Sequence, residues 1–121
     1  MIGVGIDVIE ISRVRRALER RPRLAGRLFS EAEREALAAR ADPVPSLAAR
    51  FAAKEAAMKA LGTGVGGIAF CEVEVLRGPV GAPLLAVSGR AAARANALGV
   101  RKWHVSLSHS DVLATAVVVA D

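Results

Sequence analysis

The sequence predicts an α+β fold, and three observations predict it. Apolar residues alternate with period two at the start of the chain and again near its end. Helix-opening cap patterns and one long alanine-rich run fill much of the first half. The later strand-like segments are joined too tightly for crossover helices, so some of them pair antiparallel.

The elements follow in order. Residues 2–9 form a strand, with Ile2, Val4, Ile6 and Val8 on one face and Gly3, Gly5, Asp7 and Ile9 on the other. The second face is expected to be lightly covered around Asp7. Ser12 is expected to cap a helix from Arg13 to about Arg21, which Pro22 stops. A short helical turn is expected over Leu24–Leu28. Ser30-Glu31-Ala32-Glu33 is a capping-box pattern opening a helix to about Arg40. Asp42-Pro43-Val44-Pro45 reads as a loop. Ser46 then opens a long central helix that ends near Leu61, where Gly62-Thr63-Gly64-Val65-Gly66-Gly67 stops it. Ala69–Arg77 alternates as a strand, Gly78–Pro83 is a turn, and Leu84–Val87 is a second strand. Arg90–Leu98 is a helix ended by Gly99. Trp103–Ser108 and Leu113–Ala120 read as two strands joined near Ser110-Asp111. The 121 residues are expected to form a single domain with a real core, without internal repeats.

Composition narrows the class. Hydrophobic residues make up 53 % and charged residues 24 %, which fits a globular chain and excludes a disordered one. Aromatic residues are 3 %, with no tyrosine, which argues against single-strand nucleic-acid binding by stacking. The net charge of +5 favours acidic partners: phosphorylated cofactors, an acidic protein or nucleic acid. The lone cysteine, Cys71, excludes an internal disulfide and a cysteine-based zinc site, and fits a reducing compartment. No signal peptide is expected, and no apolar run approaches the roughly 20 residues that span a bilayer. A cytoplasmic protein without membrane attachment is the expectation.

Charges inside apolar surroundings mark the candidate site. Asp7 lies mid-strand in Gly5-Ile6-Asp7-Val8-Ile9-Glu10, where aspartate is disfavoured. Lys54, Glu55 and Lys59 lie in Phe51-Ala52-Ala53-Lys54-Glu55-Ala56-Ala57-Met58-Lys59-Ala60. A charge beside a core is costly unless it is paired or holds a metal. Asp and Glu suit a hard cation such as Mg²⁺, and lysine suits phosphates. On a helical wheel Leu47, Phe51, Met58 and Leu61 form an apolar stripe, with Lys54 inside it and Glu55 on its edge. Two readings stand side by side. Glu55 and Lys59 at i and i+4 are an ordinary helix pair, and the Lys54 stem can run along the core edge to water. Alternatively, all three look into a cleft, with the Gly-rich loop beside it open to a phosphate-bearing ligand. Asp7 is either a solvent-facing edge residue or part of that cleft. His109 follows Val105-Ser106-Leu107-Ser108 at a strand end and is either a surface histidine or a functional one. Without a Gly-x-Ser-x-Gly elbow, Ser–His hydrolysis is disfavoured. Arg13, Arg15, Arg16, Arg20, Arg21, Arg23 and Arg27 crowd residues 13–27 and suggest docking onto an acidic surface.

Taken together, Gly5-Ile6-Asp7-Val8, Arg50-Phe51-Ala52-Ala53-Lys54-Glu55-Ala56 with Lys59-Ala60, Gly62-Thr63-Gly64 and Val105-Ser106-Leu107-Ser108-His109 resemble the holo-acyl-carrier-protein synthases of the 4′-phosphopantetheinyl transferase superfamily. The resemblance covers essentially the whole chain, and the Lys-Glu-x₃-Lys motif is its most specific part. It implies an antiparallel sheet packed on a long central helix and assembly as a homotrimer whose active sites are shared between subunits. It also implies transfer of 4′-phosphopantetheine from coenzyme A to a serine of apo-acyl carrier protein, releasing adenosine 3′,5′-bisphosphate, in support of fatty acid biosynthesis. Asp7 and Glu55 would hold Mg²⁺ and, with Lys59, form the catalytic group. Arg50, Lys54, Gly62, Thr63, Gly64, His109 and Ser110 would bind coenzyme A. Arg13, Arg20, Arg23 and Arg27, with Leu24 as an apolar contact, would dock the acidic carrier protein. The base that deprotonates the carrier serine is left open between Glu55 and a metal-bound water. The competing readings are a basic nucleic-acid-binding module and a carrier-binding scaffold without catalysis; the first leaves Asp7, Lys54 and Glu55 unexplained.

Overall fold

The computed structural model describes residues 1–62 and 67–121. The chain runs β1 (Gly3–Glu10), α1 (Ile11–Arg20), α2 (Leu24–Leu28), α3 (Glu31–Leu37), α4 (Val44–Ala60), a 3₁₀ turn (Phe70–Glu72), β2 (Val73–Arg77), β3 (Pro83–Val87), α5 (Gly89–Leu98), β4 (Trp103–His109) and β5 (Leu113–Ala120). The mixture of helices and antiparallel strands is the expected α+β class. The strands form two sheets: a three-stranded one in the order β1-β5-β4 and a two-stranded β2-β3 hairpin. All pairings are antiparallel, and the register aligns Asp7 with Ala116 and Ala116 with Leu107 across the larger sheet.

Several boundaries differ from the sequence reading. Helix α1 begins at Ile11, immediately after the strand, so Ser12 lies inside the helix and caps nothing. Helix α4 opens at Val44 instead of Ser46. A proline is tolerated in a first turn, where its missing N–H has no helical partner, and the Val44 amide donates to Asp42 Oδ1 at 3.2 Å. The expected strand Ala69–Arg77 gives its first residues to the 3₁₀ turn. The capping box at Ser30 forms as expected: the Glu33 amide donates to Ser30 Oγ at 3.2 Å and the Ser30 amide to Glu33 Oε1 at 3.0 Å.

The faces of β1 are the reverse of the expectation. Its glycine face is the packed one. A Cβ on Gly3 or Gly5 would collide with the carbonyl oxygens of Ala60 and Ala56, so β1 lies directly on α4. The alanines of α4 supply the matching small surface: Ala48, Ala52, Ala53, Ala56 and Ala57 are fully buried. Twelve of the seventeen α4 residues are buried, so the helix is covered nearly all round and has no single apolar stripe. Ala114, Ala116, Val118 and Ala120 of β5 close over the same helix. The opposite sheet face is left open: Val4, Ile6 and Val8 are each 56–58 % exposed, with Val117 beside them.

Candidate active site

Asp7 lies on the glycine face of β1, and so points toward α4. Its position is where the strand meets the last two turns of that helix. Lys59 reaches across from α4: its Nζ donates to Asp7 Oδ1 at 3.1 Å and to the Ile6 carbonyl at 2.9 Å. The lysine side chain is 54 % exposed and the aspartate 19 %. Glu55 stands one turn before Lys59 on α4 and is half-buried. Burial holds its carboxyl above the ordinary glutamate range, the charge of Asp7 pushes the same way, and Lys59 offsets part of both. Asp7 and Glu55 thus lie near enough to repel each other at one partly open spot, where Lys59 pairs with Asp7. Thr115 fixes the strand there by donating its hydroxyl to the Asp7 carbonyl at 2.9 Å.

Lys54 is a correction. It was expected to meet coenzyme A, but its side chain is fully buried and all three ammonium protons have protein acceptors. Nζ donates to Glu33 Oε1 at 2.7 Å, to the Val73 carbonyl at 2.5 Å and to the Phe70 carbonyl at 3.0 Å. The ammonium also lies 5.6 Å from the Phe29 ring centroid. Burial pulls its pKa down, and Glu33 works against that. Glu33, equally buried, also accepts the Val75 amide at 3.1 Å. The pair therefore clips α3, α4 and β2 together.

The remaining residues divide between two other places. Arg50 and His109 line a cleft of about 470 Å³ together with Arg40, Arg77, Ser46 and Ser108. Arg50 is buried and donates its Nε–H to the Val75 carbonyl at 3.4 Å. His109 closes β4, exposed, with Nδ1 3.3 Å from the Ser110 carbonyl. Asp7, Glu55 and Lys59 do not line this cleft. Ser110 does not join it either: its Oγ accepts the Val112 and Leu113 amides at 3.1 Å and shapes the β4–β5 turn. Gly62 sits at φ +69° just past α4, donating its amide to the Lys59 carbonyl, as a helix-ending glycine does. Thr63 and Gly64 lie outside the described residues.

Arg13 and Arg20 on α1, Arg23 in the turn after it and Arg27 on α2 are all exposed. Leu24 borders a mostly apolar groove of about 280 Å³, lined also by Arg13, Val14, Ala17, Leu28, Phe51 and Phe70. Arg15 has a different task, gripping Asp42 with two bonds of 2.8 and 3.1 Å. Sequence reasoning missed Arg40 and Arg77 as cleft residues and Glu33 as the partner of Lys54. The capping box at Ser30 gave Glu33 one role, and nothing local marks a second partner 21 residues away.

Comparison with known proteins gives a consistent answer. Residues 3–118 match the family model described as the 4′-phosphopantetheinyl transferase superfamily. A holo-[acyl-carrier-protein] synthase of Streptomyces griseus is 54 % identical over 121 residues, covering all of this chain and 98 % of that protein. The crystal structure of the synthase from Neisseria meningitidis aligns with a TM-score of 0.91 at 29 % identity, over 100 % of this chain and 98 % of that one. The synthase of Bacillus anthracis in complex with CoA (3′,5′-ADP) aligns with a TM-score of 0.81 at 34 % identity, over 98 % and 95 % of the two chains. With Asp7, Glu55 and Lys59 gathered at one open spot, the chain belongs to the holo-[acyl-carrier-protein] synthases of the 4′-phosphopantetheinyl transferase superfamily, and is a phosphopantetheinyl transferase.

Proposed function

We propose that the chain moves 4′-phosphopantetheine from coenzyme A to a serine hydroxyl of an acidic apo-acyl carrier protein, with Mg²⁺, and releases adenosine 3′,5′-bisphosphate. The observation that carries the proposal is the grouping of Asp7, Glu55 and Lys59 at the β1–α4 contact. The donor set fits Mg²⁺: two carboxylate oxygens on adjacent elements, close enough for Asp7 to raise the Glu55 carboxyl. Mg²⁺ commonly takes one or two carboxylates and completes its shell with water and substrate phosphates. Bound there, it would offset charge on the pyrophosphate.

The chain's own groups account for the rest. In the transfer the serine oxygen bonds to the pantetheine-side phosphorus, the bond from that phosphorus to the bridging oxygen breaks, and the bridging oxygen leaves with the adenosine bisphosphate. Such a step depends on positioning and on neutralising charge. Lys59 can turn its exposed amine to that oxygen and offset the charge that develops on it. Glu55, half-buried beside Asp7 and Lys59, is the carboxylate of this cluster that could take the serine proton. The arginine-lined cleft with Arg50 and His109 is suited to the other phosphate and the nucleoside of coenzyme A. Arg13 on the apolar groove that Leu24 borders, Arg23 and Arg27 on the neighbouring depression that Leu24 also borders, and the exposed Arg20 at the end of α1 offer positive charge beside an apolar centre to a carrier helix.

The reading includes a homotrimer, with the Asp7–Glu55 cluster of one subunit facing the His109 cleft of the next. Two observations support it. The two halves of the site do not share one cleft in the single chain. The open sheet face carries Val4, Ile6, Val8 and Val117, an apolar surface of the kind that subunits cover. The whole chain, 1–121, acts as one transferase domain, serving fatty acid synthesis in the cytoplasm. No described helix is long and apolar enough to cross a membrane.

The test is mass spectrometry of an apo-carrier protein incubated with the chain, coenzyme A and Mg²⁺. A mass gain equal to one phosphopantetheine, lost when EDTA is added, is the expected result; no gain defeats the reading. For the shared site, His109→Ala and Glu55→Gln are each expected to be nearly inactive and to regain part of the activity when co-refolded. A fully active monomer in sedimentation equilibrium would rule the trimer out.

A further inference from the structure

Lys59 occupies a position that the proposed function gives to a metal ion. Its amine lies on Asp7 Oδ1 at 3.1 Å and on the Ile6 carbonyl at 2.9 Å. Among the described residues it is the cation that contacts the Asp7 carboxylate. The contact is built to be left. The lysine is 54 % exposed on a flexible four-carbon stem, and pairs this exposed are weak, on the order of a 1.5- to 5-fold bias in an equilibrium constant. Lys54, five residues earlier, shows the opposite construction, with no exposure and no free proton. Charge supplies the second argument. Asp7, Glu55 and Lys59 together carry about one net negative charge. A divalent ion added to them would leave an excess of one positive charge beside the ammonium, a repulsion relieved when the lysine turns to an anion.

We propose that Lys59 is a stand-in cation: in the free protein it neutralises Asp7, it must leave that oxygen for a divalent ion to bind there, and it turns to the pyrophosphate of coenzyme A, so that this one side chain couples metal binding to nucleotide binding. The inference rests on the reading of Asp7 and Glu55 as metal ligands. By linkage, the factor by which coenzyme A tightens the metal equals the factor by which the metal tightens coenzyme A. Lys59 makes that factor larger in two ways: it weakens the metal site when coenzyme A is absent, and it is drawn off by the pyrophosphate when coenzyme A is present.

The experiment is a Mn²⁺ titration of the full chain, followed by paramagnetic broadening of backbone amide signals around Asp7, with and without coenzyme A. In the absence of coenzyme A, Lys59→Met should bind Mn²⁺ roughly three- to tenfold more tightly than the wild type. Lys59→Arg, which keeps a cation on Asp7, should stay near the wild type. Lys102→Met, which removes the same charge at a distance, should change the affinity less than about twofold. The enhancement of Mn²⁺ binding by coenzyme A should shrink in Lys59→Met. If Asp7→Asn abolishes the broadening while Lys59→Met binds Mn²⁺ no better than the wild type, the stand-in role is wrong and the metal site stands. If Asp7→Asn leaves the broadening intact, the metal-site reading and the stand-in role both fail.

Discussion

Two lysines of α4, five residues apart, each hold a carboxylate, and the two pairs are built in opposite ways. Lys54 and Glu33 meet at 2.7 Å with no exposure on either side, and the other two protons of the amine go to backbone carbonyls. Lys59 and Asp7 meet at 3.1 Å with the lysine 54 % exposed and, among the described residues, two acceptors for its amine, Asp7 and the Ile6 carbonyl. Five residues turn a helix by about 140°, so one lysine points at α3 and β2 and the other at β1 and water. The difference teaches that a lysine in an apolar motif is not evidence of a ligand by itself. What matters is how many of its protons are committed and whether water, and hence a phosphate, can reach it.

The largest effect expected from this contrast is on stability. Lys54→Ala would leave Glu33 buried without its cation and should cost about 3–5 kcal/mol in urea denaturation. Replacing both, as Lys54→Met with Glu33→Leu, should recover part of that loss. Full recovery is not expected, because the Ser30 and Val75 amides lose their acceptor. A stable Lys54→Ala protein with weakened coenzyme A binding would overturn the structural role given to Lys54.

The other pair should show the reverse profile. Lys59→Ala should cost less than about 1 kcal/mol in stability, as exposed pairs do. It should slow turnover about a hundredfold, the usual scale for losing a group that stabilises developing charge. Glu55→Gln should reduce turnover at least about a hundredfold while leaving the circular dichroism spectrum unchanged. Near-normal turnover in either variant would remove that residue from the proposed chemistry.

A smaller effect separates the arginines. Arg13→Glu with Arg23→Glu should raise KM for the carrier protein about tenfold and leave coenzyme A affinity nearly unchanged, and added salt should raise the wild-type KM in the same direction. Arg15 is already bound to Asp42 on both branches of its guanidinium, so Arg15→Gln should change that KM less. A KM that is indifferent to salt would defeat electrostatic docking.

The sequence made the elements readable because glycine, proline and cap residues punctuate it. Pro22, the Ser30 capping box, Gly62 and Gly99 all fall at element ends in the structure. It misled about which face of β1 is buried, for a physical reason. Alternation identifies two faces without saying which is packed, and Ile2, Val4, Ile6 and Val8 look like a core. The deciding contact is backbone against backbone, glycine on β1 over alanine on α4, and only the paired small residues of two distant segments reveal it. Asp7, Glu55 and Lys59 were legible as candidates because charge in an apolar motif stands out. Lys54 stood out equally and proved structural, since its partner Glu33 is remote in sequence. Arg40 and Arg77 gave no signal, because an arginine beside a turn is ordinary until the fold closes a cleft around it.

The smallest effect tests the electrostatics of the open pair directly. Burial and Asp7 hold the Glu55 carboxyl above the ordinary glutamate range near 4.5, with Lys59 pulling it part of the way back. A carboxyl whose native pKa lies above its unfolded value binds its proton more tightly in the native state. Its contribution to stability is therefore complete below the unfolded pKa and is lost as pH rises through the native one. In metal-free buffer the wild type should lose a small part of its stability over that interval, and Glu55→Gln should not. The Tm of Glu55→Gln minus that of the wild type should thus increase from pH 4 to pH 7. Lys59→Ala removes a group that lowers the Glu55 pKa, so the same pH interval should cost that variant more than it costs the wild type. A Glu55→Gln difference that stays flat with pH would mean that neither burial nor Asp7 raises the Glu55 carboxyl, and the case for a shared cation at this spot would lose its electrostatic support.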